Sequence, residues 1–138
     1  MISPFRLTVA LIALLSIGGS AEATHDVTHR YVVLGYVRDA ARGTVAGGSV
    51  EVVREKTGFS YLAETGTDGF YVVVVHLHDE DLLDILRVTA GRAAIRIEAR
   101  FNPLNSWTQR GTRVDFTGSS AVERQEAFAE TVTDYLKQ

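Results

Sequence analysis

The chain has 138 residues, of which 46% are hydrophobic, and it carries a formal net charge of −3 at pH 7 with no cysteine. That length suits one domain with one core, and without cysteine no disulfide contributes to its stability. Its 14 basic residues are interleaved with 17 acidic ones, which argues against nucleic-acid binding, because such a surface needs Lys and Arg clustered on one face.

The first 23 residues have the three-part layout of a secretory signal peptide. Arg6 gives a positive start, residues 7–17 form an apolar run, and Ala21-Glu22-Ala23 supplies an A-x-A cleavage site. The apolar run is too short for a membrane-spanning helix, which needs about 20 residues. We expect cleavage after Ala23, no membrane span in the rest of the chain, and a periplasmic or secreted protein. The absence of cysteine favours a bacterial envelope protein.

Residues 24–30 are polar and predict a flexible leader, after which the sequence predicts seven β-strands. Each strand shows alternating or continuous apolar residues bounded by turn residues. The predicted strands are residues 31–38, 49–54, 59–64, 70–75, 85–89, 94–101 and 112–116. Short strands with turns about every 8–12 residues indicate an all-β sandwich, which we place at residues 31–118.

Residues 119–138 differ from this pattern and predict an amphipathic α-helix. Ser120 and Glu123 have the spacing of a capping box at a helix N-terminus. Apolar residues then follow one helical stripe, namely Ala121, Phe128, Val132, Tyr135 and Leu136. We expect a helix over residues 120–136 whose apolar stripe contacts the sandwich or a partner.

The order of turns and strands over residues 31–101 resembles that of carboxypeptidase regulatory-like domains. Residues 33–53 (VLGYVRDAARGTVAGGSVEVV) match the opening G-x-V-x-D, a Gly turn and G-x-x-V-x-V. Residues 64–71 (ETGTDGFY) match the Thr-x-x-Asp-Gly-x-[Phe/Tyr] turn and strand that come next. Ser49 follows Gly48 where Ala is more usual, which is a mild departure from the family pattern.

The resemblance implies a prealbumin-like Greek-key sandwich, often grouped with carbohydrate-binding-like folds, that serves as an accessory or interaction module. It also implies structural roles, in turns and core, for the family's motif positions. These are Gly35, Val37, Asp39, Gly43, Gly48, Val50, Asp68, Gly69 and Tyr71. Because the chain shows no peptidase domain to regulate, we expect it to bind a separate envelope protein through its sandwich or its C-terminal helix.

No residue pattern predicts an enzyme. The chain has no Cys, no G-x-S-x-G and no serine with a neighbouring histidine. Enzymes of the transthyretin-like hydrolase group end in Tyr-Arg-Gly-Ser, whereas this chain ends in Tyr-Leu-Lys-Gln, so that resemblance fails. Asp79, Glu80, Asp81 and Asp84 have no spacing that sets two carboxylates at a catalytic separation. We therefore expect a non-catalytic protein.

The segment of residues 76–81 (HLHDED) contains the side chains best suited to bind a metal ion. His76 and His78 point to the same side of a strand end, because side chains alternate along a strand. Two imidazoles followed by carboxylates suit Cu²⁺ or Zn²⁺. The candidate metal ligands are His76, His78, Asp79 and Asp81. The alternative is that both histidines are half-exposed strand-end residues hydrogen-bonded to nearby acids.

The other two histidines, His25 and His29, lie in the polar leader. After cleavage, the free amine of Thr24 beside His25 would itself be a copper chelate. The sequence implies no cofactor other than this Cu or Zn hypothesis.

The loop of residues 102–111 (NPLNSWTQRG) carries Trp107 among amide side chains and Arg110. An exposed Trp with such neighbours can stack on a sugar ring, so Trp107 and Arg110 are candidate carbohydrate-binding residues. A loop Trp more often buries its indole over a sheet end, and we expect burial here. Carbohydrate binding is thus an alternative that rests mainly on fold analogy.

Overall fold

The computed structural model describes residues 29–138, which form two four-stranded β-sheets and one C-terminal α-helix. The strands are β1 (Arg30–Arg38), β2 (Ser49–Arg54), β3 (Ser60–Glu64), β4 (Phe70–His76), β5 (Ile85–Ala90), β6 (Ala93–Glu98), β7 (Gly111–Thr117) and β8 (Ser120–Glu123). The first sheet has the order β4-β1-β7-β8 and the second the order β3-β2-β5-β6. The helix, α1, spans Phe128–Leu136.

Strand β1 lies inside the first sheet and is paired on both sides. It is antiparallel to β4, with Val33 opposite Val73, and parallel to β7, with Val32 opposite Gly111. The other strand pairs are antiparallel. The chain changes sheet between β1 and β2, β3 and β4, β4 and β5, and β6 and β7, so contacts between distant segments hold both sheets together.

The main core lies between the two sheets and is built from alternate residues of the strands. Its buried side chains include Tyr31, Val33, Val50, Val52, Tyr71, Val73, Leu86, Val88, Val114 and Phe116. Burying each such side chain contributes about 1.5–3 kcal/mol before the loss of conformational entropy is counted. The alternation that predicted a sandwich therefore places the apolar faces of both sheets against each other.

A second apolar cluster covers the outer face of the first sheet. Val32 and Leu34 of β1 pack there against Phe128 of α1, and Val132 packs beside them. Strand β1 is therefore buried on both faces, as its nearly continuous apolar run predicts. Of the two predicted positions for the helix stripe, the structure shows contact with the sandwich, although Leu136 stays 72% exposed.

The predicted start of the C-terminal helix and the count of seven strands are wrong. Residues 120–123 form β8, an eighth strand within residues 29–138. Gly118, with φ +59°, makes the turn that lets Thr117 pair with Ser120. Pairing with β7 thus satisfies backbone groups that a capping box would have served, and a 3₁₀ turn at Gln125–Ala127 precedes α1. The sandwich consequently extends beyond residue 118.

The N-terminal predictions fall largely outside the described residues. Both the signal peptide, residues 1–23, and residues 24–28 of the leader lie there. Arg30 already belongs to β1, and the backbone oxygen of His29 accepts a hydrogen bond of 3.1 Å from the Leu77 N–H. Within residues 29–138, no helix is long and apolar enough to cross a membrane.

The buried Tyr71 side chain bonds to a backbone carbonyl, and its ionisation makes the free energy of unfolding depend on pH. Its hydroxyl donates a 2.6 Å hydrogen bond to the Val114 carbonyl. Burial raises the pKa of Tyr71 far above its usual value, and the negative charge of Asp115 adds to the effect. The folded phenol stays neutral while the unfolded chain ionises near pH 10. The free energy of unfolding is therefore fully retained below about pH 10 and falls as the pH rises further.

We predict that Tyr71→Phe lowers the free energy of unfolding at pH 7 by about 1 kcal/mol, because the carbonyl loses its donor. The same variant should lose less stability than wild type above about pH 10, since one phenol no longer titrates. Urea unfolding at neutral and alkaline pH measures both effects. An identical alkaline loss in the two proteins would contradict the assignment to Tyr71.

Candidate functional site

Two imidazoles lie side by side at the end of β4. The Nε2 atoms of His76 and His78 are 3.2 Å apart, and the ring centres are 4.7 Å apart with the planes at 89°. Both rings lie on the same side of the strand end, as the alternation of side chains predicts. His76 is exposed and His78 is half-buried, so an ion in solution can reach the pair.

A third imidazole comes from the residue just before β1. The ring centre of His29 lies 4.6 Å from that of His78 and 5.9 Å from that of His76. The antiparallel pairing of β1 with β4 sets Arg30 opposite His76, which brings the preceding residue to the end of β4. His29 falls in the predicted leader, because only this pairing connects it with the other two rings.

The two carboxylates predicted as metal ligands are engaged elsewhere. Asp79 Oδ1 accepts a 2.8 Å hydrogen bond from Arg110 Nη1. Asp81 Oδ2 accepts a 2.9 Å bond from the backbone N–H of His78, and its Oδ1 lies 3.3 Å from Arg54 Nη2. These bonds fix the 3₁₀ turn at Asp79–Asp81. Among the described residues, no group of three or more His, Cys, Asp or Glu is arranged to hold a metal ion.

Arg54, the last residue of β2, binds the connection between β4 and β5, which follows the two histidines. Its Nη2 lies 2.7 Å from Asp84 Oδ2 and 3.3 Å from Asp81 Oδ1, and the three side chains are each only 11% exposed. Burial by itself lowers the pKa of Arg54, but the hydrogen bond with Asp84 and the charge of Asp81 outweigh it and raise the pKa. The guanidinium therefore stays charged, and it positions the turn that carries the His78 backbone.

Arg110 connects the Trp107 loop to the end of the sandwich that carries the histidines. Trp107 and Arg110 nevertheless do not line one common site. Trp107 is 85% exposed, so the expected burial of its indole is wrong. Asn105 Oδ1 accepts a 3.0 Å hydrogen bond from the backbone N–H of Trp107, an Asx turn that fixes the loop locally. The Arg110 guanidinium is buried and stacks on the Phe101 ring, 4.5 Å from its centre. A cavity of about 120 Å³ beside it is lined by Arg100, Phe101, Asn102, Asn105, Thr108, Gln109, Arg110 and Gly111, and not by Trp107.

A wider cleft of about 630 Å³ lies at the opposite end of β1, beside its last residues. Its one lining carboxylate, Asp39, accepts hydrogen bonds from the N–H groups of Ala41 and Gly43 at 2.9 and 2.8 Å. This is the turn role that the family resemblance implies for Asp39. No histidine lines the cleft.

Comparisons with known proteins add little to this geometry. No protein-family model and no curated protein matches the chain. Among solved structures, the chain is similar to the dioxygenase domain of a dioxygenase carbohydrate-binding protein fusion from the cellulolytic bacterium Streptomyces sp. SirexAA-E. That alignment covers 69% of this chain and 75% of the other, with 17% sequence identity and a TM-score of 0.37. At so low a TM-score, the similarity carries no argument about activity.

Proposed function

We propose that the chain is an exported accessory domain that binds a transition-metal ion, Cu²⁺ or Zn²⁺, through His76 and His78. The observation that carries the proposal is the 3.2 Å distance between their Nε2 atoms. Two imidazole nitrogens bound at about 2.0–2.1 Å to one tetrahedral ion lie about 3.3 Å from each other. The two side chains thus stand at the separation that two ligands of one ion require.

The competing explanation is a hydrogen bond between the two rings. A distance of 3.2 Å also suits an N–H···N bond, in which one neutral ring donates and the other accepts. At an exposed strand end, however, such a bond replaces bonds to water and adds little stability. The two explanations differ in an observable way, because only the metal site takes up an ion in a fixed ratio.

The surroundings of the pair support metal binding further. The backbone N–H of His78 is held by Asp81, which Arg54 holds in turn. Ligands whose orientation is fixed by such outer contacts lose less freedom when an ion binds. The sharing of Asp81 between the His78 backbone and Arg54 therefore fixes the backbone that carries one of the two imidazoles.

The test is metal titration of protein expressed with its own leader and purified from the periplasmic fraction, with an intact mass equal to residues 24–138. We expect saturable calorimetric binding of Cu²⁺ and Zn²⁺ that weakens as the pH falls, because protons compete for the imidazoles. Combining His76→Ala with His78→Ala should weaken binding at least about 100-fold.

His25→Ala is the matched control, because it removes the Thr24–His25 chelate and leaves the strand-end pair intact. The decisive comparison is made in the His25→Ala background, where the terminal chelate is absent. Binding that survives the double substitution in that background, or no saturable binding by His25→Ala itself, would rule out this function.

A second candidate function, docking to another envelope protein, is favoured by Leu104 and Trp107, which are 87% and 85% exposed. Exposed Trp side chains are frequent anchors of protein interfaces. A photo-cross-linker placed at Trp107 in living cells should give one discrete protein adduct that Leu104→Ala weakens. A cross-linker at exposed Arg92 serves as the control, and equal labelling from both positions would contradict docking through this loop.

We also propose that the sandwich is a prealbumin-like domain of the carboxypeptidase regulatory-like type. Its two facing four-stranded sheets support this assignment, as do the turn bonds of Asp39 and the burial of Tyr71. Carbohydrate binding is less well supported, because the Arg110 guanidinium is committed to Phe101 and Asp79.

A further inference from the structure

We infer that His29 is the third ligand of this metal site, so that an ion held by His76 and His78 also fastens the segment before β1 to the end of β4. The inference rests on the proposed function and adds to it a ligand from a distant part of the sequence. It would make the hold of His29 on the end of β4 depend on the metal.

The separations of the three rings fit one shared ion. With metal–nitrogen bonds of about 2.0–2.1 Å, the ring centres of two imidazoles on a tetrahedral ion lie about 5 Å apart. The observed separations are 4.6, 4.7 and 5.9 Å. The ring planes meet at 62°, 69° and 89°, so no ring is stacked flat on another, which would turn its nitrogens away from a common point.

His29 must turn to complete the site. The described residues hold no ready set of three ligands, whereas the Nε2 atoms of the other two histidines are already 3.2 Å apart. The hydrogen bond from the Leu77 N–H to the His29 oxygen, at 3.1 Å, fixes the His29 backbone beside β4. Rotation of the His29 ring about its Cβ–Cγ bond leaves the ring centre nearly in place, and this torsion is soft enough to direct a ring nitrogen at the ion.

Three imidazoles leave one position of a tetrahedral ion open. Asp81 does not fill it, because the His78 N–H and Arg54 engage both its oxygens, and Asp79 is directed at Arg110, whose Nη1 lies 2.8 Å from its Oδ1. That position is therefore left to water or to a ligand from outside the domain.

The experiment compares Cu²⁺ and Zn²⁺ binding by the periplasmic protein with that by His29→Ala and by His25→Ala, its matched control in the same leader. We expect His29→Ala to weaken Zn²⁺ binding at least about tenfold and His25→Ala to leave Zn²⁺ binding unchanged. For Cu²⁺ the comparison is made in the His25→Ala background, which lacks the terminal chelate. Electron paramagnetic resonance of bound Cu²⁺ should there show three coordinating imidazole nitrogens, and two when His29→Ala is added. Zn²⁺ should also slow hydrogen exchange of the Leu77 amide in the wild type and not in His29→Ala.

The outcomes separate the inference from the proposed function. Equal binding and equal spectra with and without His29→Ala overturn the third ligand and leave the His76–His78 site in place. Loss of binding in His25→Ala instead would assign the ion to the terminal chelate and overturn the inference. No saturable binding by any of the proteins removes the proposed function itself.

Discussion

Gly35→Ala is expected to lower the free energy of unfolding by about 3 kcal/mol, the upper end of the usual cost of overpacking. A Cβ atom at this position would lie 1.9 Å from the Val114 carbonyl oxygen and 2.7 Å from the carbonyl carbon. Both atoms belong to the backbone of β7, so no side chain can move aside to make room. Relief would require separating β1 from β7 at the middle of the first sheet, where the Tyr36 N–H also bonds to Asp115.

Gly47→Ala is the matched control for this prediction. Gly47 has φ +67° and no atom within 4 Å of the added Cβ. The substitution there measures only the cost of placing Ala in the left-handed backbone conformation, about 1–2 kcal/mol of the free energy of unfolding. Urea unfolding at pH 7 measures both variants. If Gly35→Ala proves no more costly than Gly47→Ala, the close approach of β1 to β7 is not as the structure describes it.

Arg54→Leu should be destabilising by about 3–5 kcal/mol, because it removes the cation from two nearly buried carboxylates. Asp81 and Asp84 are each 11% exposed and both contact the Arg54 guanidinium. Without it their mutual repulsion would open the connection between β4 and β5. Asp81 would then no longer hold the His78 backbone firmly, so we also expect weaker metal binding in this variant.

The exposed pair of Arg96 and Glu55, with N–O distances of 2.7 and 2.8 Å, provides the control for Arg54→Leu. Arg96→Leu should leave the unfolding midpoint unchanged, because water and salt already screen an exposed pair. Arg54→Lys keeps the charge and should retain the fold, which allows its metal affinity to be measured. An Arg54→Leu protein as stable as Arg96→Leu would show that the buried ion pairs do not hold this connection.

The sandwich could be predicted from sequence because the positions of apolar residues decide which face of a strand is buried. Tyr31 and Val33 face the core, whereas Val32 and Leu34 face α1, as the nearly continuous apolar run of β1 indicates. Strand β8 could not be predicted in this way. Residues 120–123 have local signals for a helix start, and only pairing with β7 across Gly118 decides for a strand.

In the candidate site, too, local sequence predicts one part, and contacts between distant residues determine the other. His76 and His78 were found from their spacing, because neighbours two apart on a strand share a side. The approach of His29 depends on the register between β1 and β4, which no local pattern encodes. Asp79 and Asp81 likewise contact Arg110 and Arg54, which are far away in the sequence, and not the imidazoles.

The double pairing of β1 also has a consequence for how the protein is made. This strand, synthesised first, finds one partner in β4 and the other in β7, near the end of the chain. Its sheet cannot close until β7, Gly111–Thr117, has left the ribosome, and folds dominated by such distant contacts form slowly. For a chain exported as we propose, this delay would keep the polypeptide unfolded during passage and postpone folding to the far side of the membrane.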